Sequence, residues 1–240
     1  MKKLLFILSI SLLGVQSTCD PQMMQDVLNT VLEDQMTEGQ VANGLREALV
    51  QGASNGSDVL SKVNGYFGNP QVKIPFPPEA QKIESTLRDL GLNKMCDDVI
   101  LSLNQAAEKA AAEAKPILVN SIRQMTVNDA MNILFGADNA ATDYLKRTTT
   151  SQLLEKFTPV IENSLSAVNA TKYWSDAVNY YKKIPLIEDL NPDLTGFVTG
   201  KALDGLFLMI EQEEAQIRAN PAARGAEIVK SVFAYYDANK

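Results

Sequence analysis

The sequence predicts an all-α protein, and three observations carry that reading. Apolar residues recur at helical spacing along nearly the whole 240-residue chain. Helix start and stop residues punctuate that spacing, and no run alternates in the manner of a half-buried strand outside one proline-rich segment. The stretch from Leu194 to Ala219 is also apolar around most of its circumference, with Val198, Ala202, Leu203, Leu206, Phe207, Leu208, Met209 and Ile210. So wide an apolar surface requires several partners, so the expected fold is a multi-helix bundle around a buried central helix at about 194–219. The change to Glu211, Glu213, Glu214 and Arg218 in its second half predicts that this helix leaves the core for solvent or a charged cleft.

The chain begins with Lys2 and Lys3, an apolar run from Leu4 to Leu13, and small or polar residues to Ser17, the layout of a secretory signal. The expected division is a signal peptide at 1–17, an N-terminal helix at 20–36 and one all-helical domain at 37–240. Cys19 offers a second reading, a lipoprotein whose signal is 1–18 and whose cysteine is acylated. Without acylation, an oxidising compartment favours a Cys19–Cys96 disulfide closing a long loop; with it, Cys96 is a lone, buried thiol. Either way the expected location is exported, periplasmic or held at the membrane by the Cys19 anchor.

Asp20-Pro21 start the first helix, with Met24, Val27, Leu28, Val31 and Leu32 on one face. Thr37 and Gln40 form a capping box for a second helix carrying Val41, Leu45 and Leu49, a pattern weakened by polar and glycine residues over 51–57. Gly65 to Pro78, with four prolines, excludes helix and central strand and predicts an extended arm at about 65–78. The arm reads first as an ordered linker packed on its own domain, with docking into a partner as the alternative. Ile83, Leu87 and Leu90 mark a helix stopped by Gly91; an alanine-rich helix follows from Lys94 to Lys115, kinked or restarted by Pro116. Thr126 and Asp129 cap the next helix, which Gly136 ends. Asp138 caps a helix through Arg147, and Thr148 to Ser151 cap another that Pro159 kinks. Tyr173, Trp174, Val178 and Tyr181 form an aromatic stripe, read as core or interface packing. Asn220-Pro221 start the last helix, with Ile228, Val229, Val232, Phe233 and Tyr236 facing inward.

Composition narrows the chemistry. A formal net charge of −7 with no basic run makes nucleic acid an unsuitable partner. Histidine is absent, which removes Ser-His and Cys-His nucleophile pairs and imidazole metal sites. No metal-binding loop or phosphate cradle is recognisable, and no cofactor is expected. One constellation merits chemical reading. Asp204 and Glu211 lie seven residues apart on one helix face, continued by Glu214 and Arg218. Carboxylates with split pKa values are the minimum apparatus for glycoside hydrolysis, so Asp204, Glu211 and Glu214 are the catalytic candidates. The competing reading makes Asp204 a buried polar contact, with Lys201 or an arginine of another helix, and the glutamates a solvated face. Arg123, Lys146, Arg147, Arg218 and Arg224 are cations for ion pairing or anion binding; of these Arg123, Arg218 and Arg224 are the binding candidates.

Several segments resemble one bacterial family, the domain of unknown function 4197: NPQVKIPFPP from Asn69, IRQMTVND from Ile122, AATDYL from Ala140, NPDL from Asn191, and KALDGLFLMIEQEEAQIRANPAAR from Lys201. The resemblance runs in unbroken order from about Thr37 to Phe233, with Cys96 outside the family's pattern. It implies an exported, mostly helical bacterial protein and supplies no catalytic residues. The function expected from the sequence is a non-enzymatic binding or interaction module of the bacterial envelope, its partner an envelope ligand or protein of unknown identity. A histidine-free hydrolase of envelope glycan is the alternative, and a structural protein self-associating through the Tyr173 to Tyr181 stripe a further one.

Overall fold

The computed structural model describes residues 36–167, 170–182 and 193–239. The signal segment, Cys19 and the helix expected at 20–36 lie outside the described residues, apart from Met36 at that helix's end. The described residues contain helices and turns and no strand. In order they are α1 (Glu38–Leu60), a 3-10 turn (Pro78–Ala80), α2 (Gln81–Asp89), α3 (Asn93–Ala111), α4 (Ala114–Gln124), α5 (Val127–Leu134), α6 (Ala140–Ala167), α7 (Ala170–Lys182), α8 (Leu194–Ala219), a second 3-10 turn (Pro221–Ala223) and α9 (Glu227–Asn239). This is an all-α bundle. α8 is its centre, packing on α6, α1 and α3, while α1 also meets α4, α5 and α9.

Local chemistry sets most boundaries. Both capping boxes form: the Thr37 hydroxyl accepts from Gln40 N–H, and the Thr126 hydroxyl from Asp129 N–H, each with the reciprocal bond. The bonds from Thr126 hold the Asp129 carboxyl below its usual pKa. Gly91 ends α2 with φ of +79°, and Leu92 N–H reaches back to Leu87 O.

Other elements depart from the expected pattern. Glycines between 51 and 57 do not weaken α1, which runs through them. Gly56 brings its backbone against α8, where an added Cβ would stand 3.4 Å from Ile210 N. The 148–151 run starts no helix, because the hydroxyls of Thr148, Thr149 and Thr150 donate back to the carbonyls of Tyr144, Leu145 and Lys146 inside a continuous α6. α6 also passes through Pro159, on its exposed side, where the orphaned carbonyl can meet water. Pro116 restarts the chain as expected, with the break falling at 112–113. Asn220-Pro221 open a 3-10 turn, and the last helix begins only at Glu227. Of the residues expected inward there, Val229, Val232 and Phe233 are buried and Ile228 is exposed.

The 61–78 segment is turned as far as Val72 and extended only over 73–75, then reaches the 3-10 turn through Phe76 and Pro77. It is strapped to its own domain. Tyr66, Ile74 and Phe76 are fully buried, and the Tyr66 hydroxyl donates to Ala202 O of α8 at 2.7 Å. Burial and the nearby Glu108 charge push the Tyr66 pKa far up, so it stays a donor. Asn104 of α3 accepts from Ile74 N–H and donates to Ile74 O, both at 2.8 Å. Glu108, one turn on, accepts the N–H groups of Tyr66 and Phe67 at 3.2 Å each. Two α3 side chains thus replace the missing neighbouring strand.

Gly205 and Gly200 of α8 form a test of this packing. A Cβ at Gly205 would stand 2.8 Å from Tyr66 Cε1 and 3.1 Å from Val72 Cβ, whereas one at Gly200 meets nothing within 4 Å. In urea unfolding, Gly205→Ala should lose about 1–3 kcal/mol to overpacking. Gly200→Ala should gain about 0.5–1 kcal/mol from helix propensity. Equal effects would contradict the described docking of the strap.

Candidate functional site

The structure separates the sequence-derived candidates into two places. Glu214 and Arg218 form a buried node, their side chains only 5% and 13% exposed. One Glu214 carboxylate oxygen accepts Ala141 N–H at 3.0 Å and the Arg218 guanidinium at 2.9 and 3.0 Å. The other accepts Thr142 N–H at 2.8 Å and the Thr142 hydroxyl at 2.7 Å. Arg218 extends to Ile133 O and Leu134 O, the end of α5. Arg224, also buried, binds Ile217 O and Arg218 O and lies 4.5 Å from the Phe233 ring. The second half of α8 therefore does not simply exit into solvent: it keeps Glu214 and Ile217 buried while Ala215 and Gln216 are exposed, nearer the charged-cleft alternative, since a charge can be buried when its bonds are made. Glu214 is committed to structure, and a carboxylate holding five bonds has no free lone pair for acid or base work.

Asp204 and Glu211 are elsewhere. The Asp204 side chain is 73% exposed and meets Lys201 at 3.2 Å. Glu211 is half-buried beside a groove between α6 and α8. These two carboxylates line one groove and do not converge with Glu214, so of the candidate pairs only Asp204 with Glu211 shares a site. Arg123 is exposed in the last turn of α4, outside the Glu214 node. Arg147 instead lies 5.6 Å from the Tyr144 ring.

The groove is the feature that periodicity could not reveal. Its volume is about 580 Å³. α6 contributes Lys146, Thr150 and Leu154; α8 contributes Gly200, Leu203, Asp204, Phe207, Leu208 and Glu211. The helices run antiparallel, since Glu214 bonds at Ala141 and Thr142 while Phe207 lies under Lys146, 5.9 Å from ring centroid to Nζ. Lys146 and Glu211 therefore stand toward one end, and Leu154 with Gly200 toward the other. From Gly200 to Glu211 the floor spans about 16 Å at the helical rise. Leu154 is 41% exposed although apolar. A second hollow, of about 240 Å³, adjoins it across Asp204 and Leu208, walled by Lys73 and Pro75 of the strap.

Two expectations can be placed against this geometry. In the aromatic stripe, Trp174 and Tyr181 are buried, Trp174 lying 5.9 Å from Phe76. Cys96 is buried, with its sulfur 3.8 Å from Glu84 O, and is a free thiol among the described residues. Its pairing or Cys19 acylation concerns a residue outside them. No group of three His, Cys, Asp or Glu side chains among the described residues is placed to hold a metal ion. No helix among them is long and apolar enough to cross a membrane.

Sequence reasoning missed Glu108 and Asn104, which hold the strap, and the place of Lys146 on the groove. Asn104 and Glu108 did leave a signal. They stand four apart within the stripe of Leu103, Ala107 and Ala111, where a buried polar group demands a partner.

Two outcomes follow from the node and the thiol. Glu214→Ala should cost about 3–5 kcal/mol in denaturant unfolding, because it strands a buried guanidinium, and Arg218→Ala in the same background should add much less than alone. Additive losses would contradict the coupling. Burial pushes the Cys96 thiol pKa up, so less thiolate is present at pH 8. Alkylation of the native protein should therefore be far slower than of the chain in denaturant, and rapid native labelling would refute the burial.

No curated protein and no solved structure matches the chain. A family profile described as protein of unknown function, DUF4197, matches residues 35–234. With the match covering most of the sequence and the entire strapped bundle up to α9, the chain belongs to the DUF4197 family.

Proposed function

We propose that the protein is a non-enzymatic binding module of the bacterial envelope, exported by its N-terminal segment, whose ligand lies in the groove between α6 and α8. The observation that carries this reading is the groove itself. It is a concavity of about 580 Å³ with Leu203, Phe207 and the exposed Leu154 on its walls, and Lys146, Asp204 and Glu211 at its margins. A mostly apolar concavity with a few placed polar groups is the usual form of a small-molecule site. The strap supports it from behind, because Tyr66 and Gly205 fix α8 on its opposite flank and leave the groove preformed. Export rests on Lys2, Lys3 and the apolar run to Leu13, and a tether on Cys19.

The hydrolase reading keeps Asp204 and Glu211 on the groove, but Glu214 is held by Arg218 and Asp204 is largely exposed and engaged by Lys201, so no observation favours it over binding. Self-association through the aromatic stripe would have to proceed without Trp174 and Tyr181, both buried in the protomer.

The test is mass spectrometry of small molecules released by denaturing protein purified from native envelope, beside Gly200→Leu. A leucine at 200 has open space to enter and fills the apolar end of the groove. The expected result is one enriched species with wild type, reduced at least about tenfold with Gly200→Leu. Equal recovery from both proteins, or none from wild type, overturns the proposal.

A further inference from the structure

The polarity of the groove identifies the kind of molecule it would take, an inference that rests on the groove being a binding site. Its ends differ chemically. Toward one, Lys146 Nζ stands 5.9 Å from the Phe207 ring centroid, and Glu211, one turn beyond Phe207 on α8, brings the opposite charge to the same region. No carboxylate lies within salt-bridge distance of Lys146 among the described residues, although Asp204 and Glu211 share its groove; Asp204 is engaged by Lys201. Toward the other, the lining is Leu203, Leu154 and Gly200, with open space where a Cβ would be.

Three occupants can be compared on these facts. A purely anionic head would pair with Lys146 and face Glu211, so like charge would offset much of the gain. A peptide would bring an N–H and a C=O at every residue, and toward Gly200 the groove offers them only Asp204, at its margin and engaged by Lys201. Its one nearby hydroxyl, Thr150, already donates to Lys146 O at 2.6 Å. A head carrying both an anion and an amine, followed by one apolar chain, matches each part. The anion meets Lys146, the amine meets Glu211, and the chain runs over Phe207 and Leu203 to Gly200 with no polar group unsatisfied.

We infer that the α6–α8 groove binds a single-chain zwitterionic amphiphile, an amine-bearing lysophospholipid in chemical class. The apolar floor from Phe207 to Gly200 is about 10 Å long at the helical rise, room for part of one acyl chain with its end in solvent. Binding forms no covalent bond and needs no co-reactant.

The test uses purified full-length protein and an environment-sensitive anilinonaphthalene dye, displaced by two lysolipids of equal chain length below their micellar concentrations. One carries a phosphoethanolamine head and the other a phosphoglycerol head. Wild type should bind the dye, and Gly200→Leu should not, with circular dichroism showing that the variant is folded. The phosphoethanolamine lipid should displace the dye at about tenfold lower concentration, the contribution of one charge-assisted contact. Glu211→Gln should reduce that preference to about twofold or less, and Lys146→Met should weaken both lipids. Dye binding abolished by Gly200→Leu, with equal displacement by the two heads, overturns the zwitterion assignment and leaves the groove as a site. Dye binding that Gly200→Leu does not change removes the groove reading and this inference together.

Discussion

The bundle depends on one buried carboxylate. Glu214 sits where the N-terminus of α6 presents N–H groups that no helical carbonyl can satisfy, and it accepts those of Ala141 and Thr142. Its partner Arg218 lies at the C-terminus of α5, where it donates to the carbonyls of Leu134 and of Ile133, the latter also meeting Gly136 N–H of the turn that follows. The negative group thus meets the positive end of one helix dipole, and the positive group the negative end of another. One i,i+4 pair on α8 holds both sides of the corner between α5 and α6. A buried ion pair is seldom a net source of stability against an apolar substitute, and its consequence here is positional. It fixes the axial register of α6 against α8, which brings Lys146 over Phe207 and Leu154 toward Gly200.

The opposite flank of α8 is fixed by different means. The strap supplies Tyr66, whose ring occupies the space that Gly205 leaves and whose hydroxyl reaches Ala202 O. Asn104 and Glu108 hold the strap to α3 by its backbone, so its position does not depend on shape complementarity alone. α8 is therefore held through a carboxylate near its C-terminal end and through glycine and carbonyl contacts near its middle. The face between these restraints is the floor of the groove. A ligand entering there meets a wall already in place and does not have to pay for ordering it.

What the sequence made legible follows from the range of each interaction. Caps act within four residues, so Thr37 with Gln40 and Thr126 with Asp129 are readable from spacing alone. The central helix is readable because burial on many sides needs apolar residues on many sides. Thr148 to Ser151 misled because a threonine hydroxyl serves equally as a cap or as a donor to the carbonyl four residues back, and only the surrounding helix decides between them. The pairing of Glu214 with Arg218 is legible from i,i+4 spacing, but the burial of Glu214 is not, for a deeper reason. Its partners at Ala141 and Thr142 lie more than seventy residues away, and periodicity contains no information about which helix end will arrive at a given carboxylate. The groove is illegible on the same ground: Lys146, Leu154 and Gly200 become neighbours only once the antiparallel register is set.

Energetics explain why the head group matters most in such a groove. A fully buried methylene contributes about 0.8 kcal/mol, and less where one side faces water. A micromolar complex requires about 8 kcal/mol after the cost of association has been met. The apolar floor from Phe207 to Gly200, about 10 Å long by helical rise, does not supply that from hydrocarbon alone. The remainder has to come from Lys146 and Glu211, and charges half shielded from water by Phe207 and the helix walls are worth more than the same charges on an open surface. If the groove holds the proposed amphiphile, discrimination would lie at the polar end, and the hydrocarbon end, where Gly200 leaves its space open, would admit chains of differing length that run out into solvent.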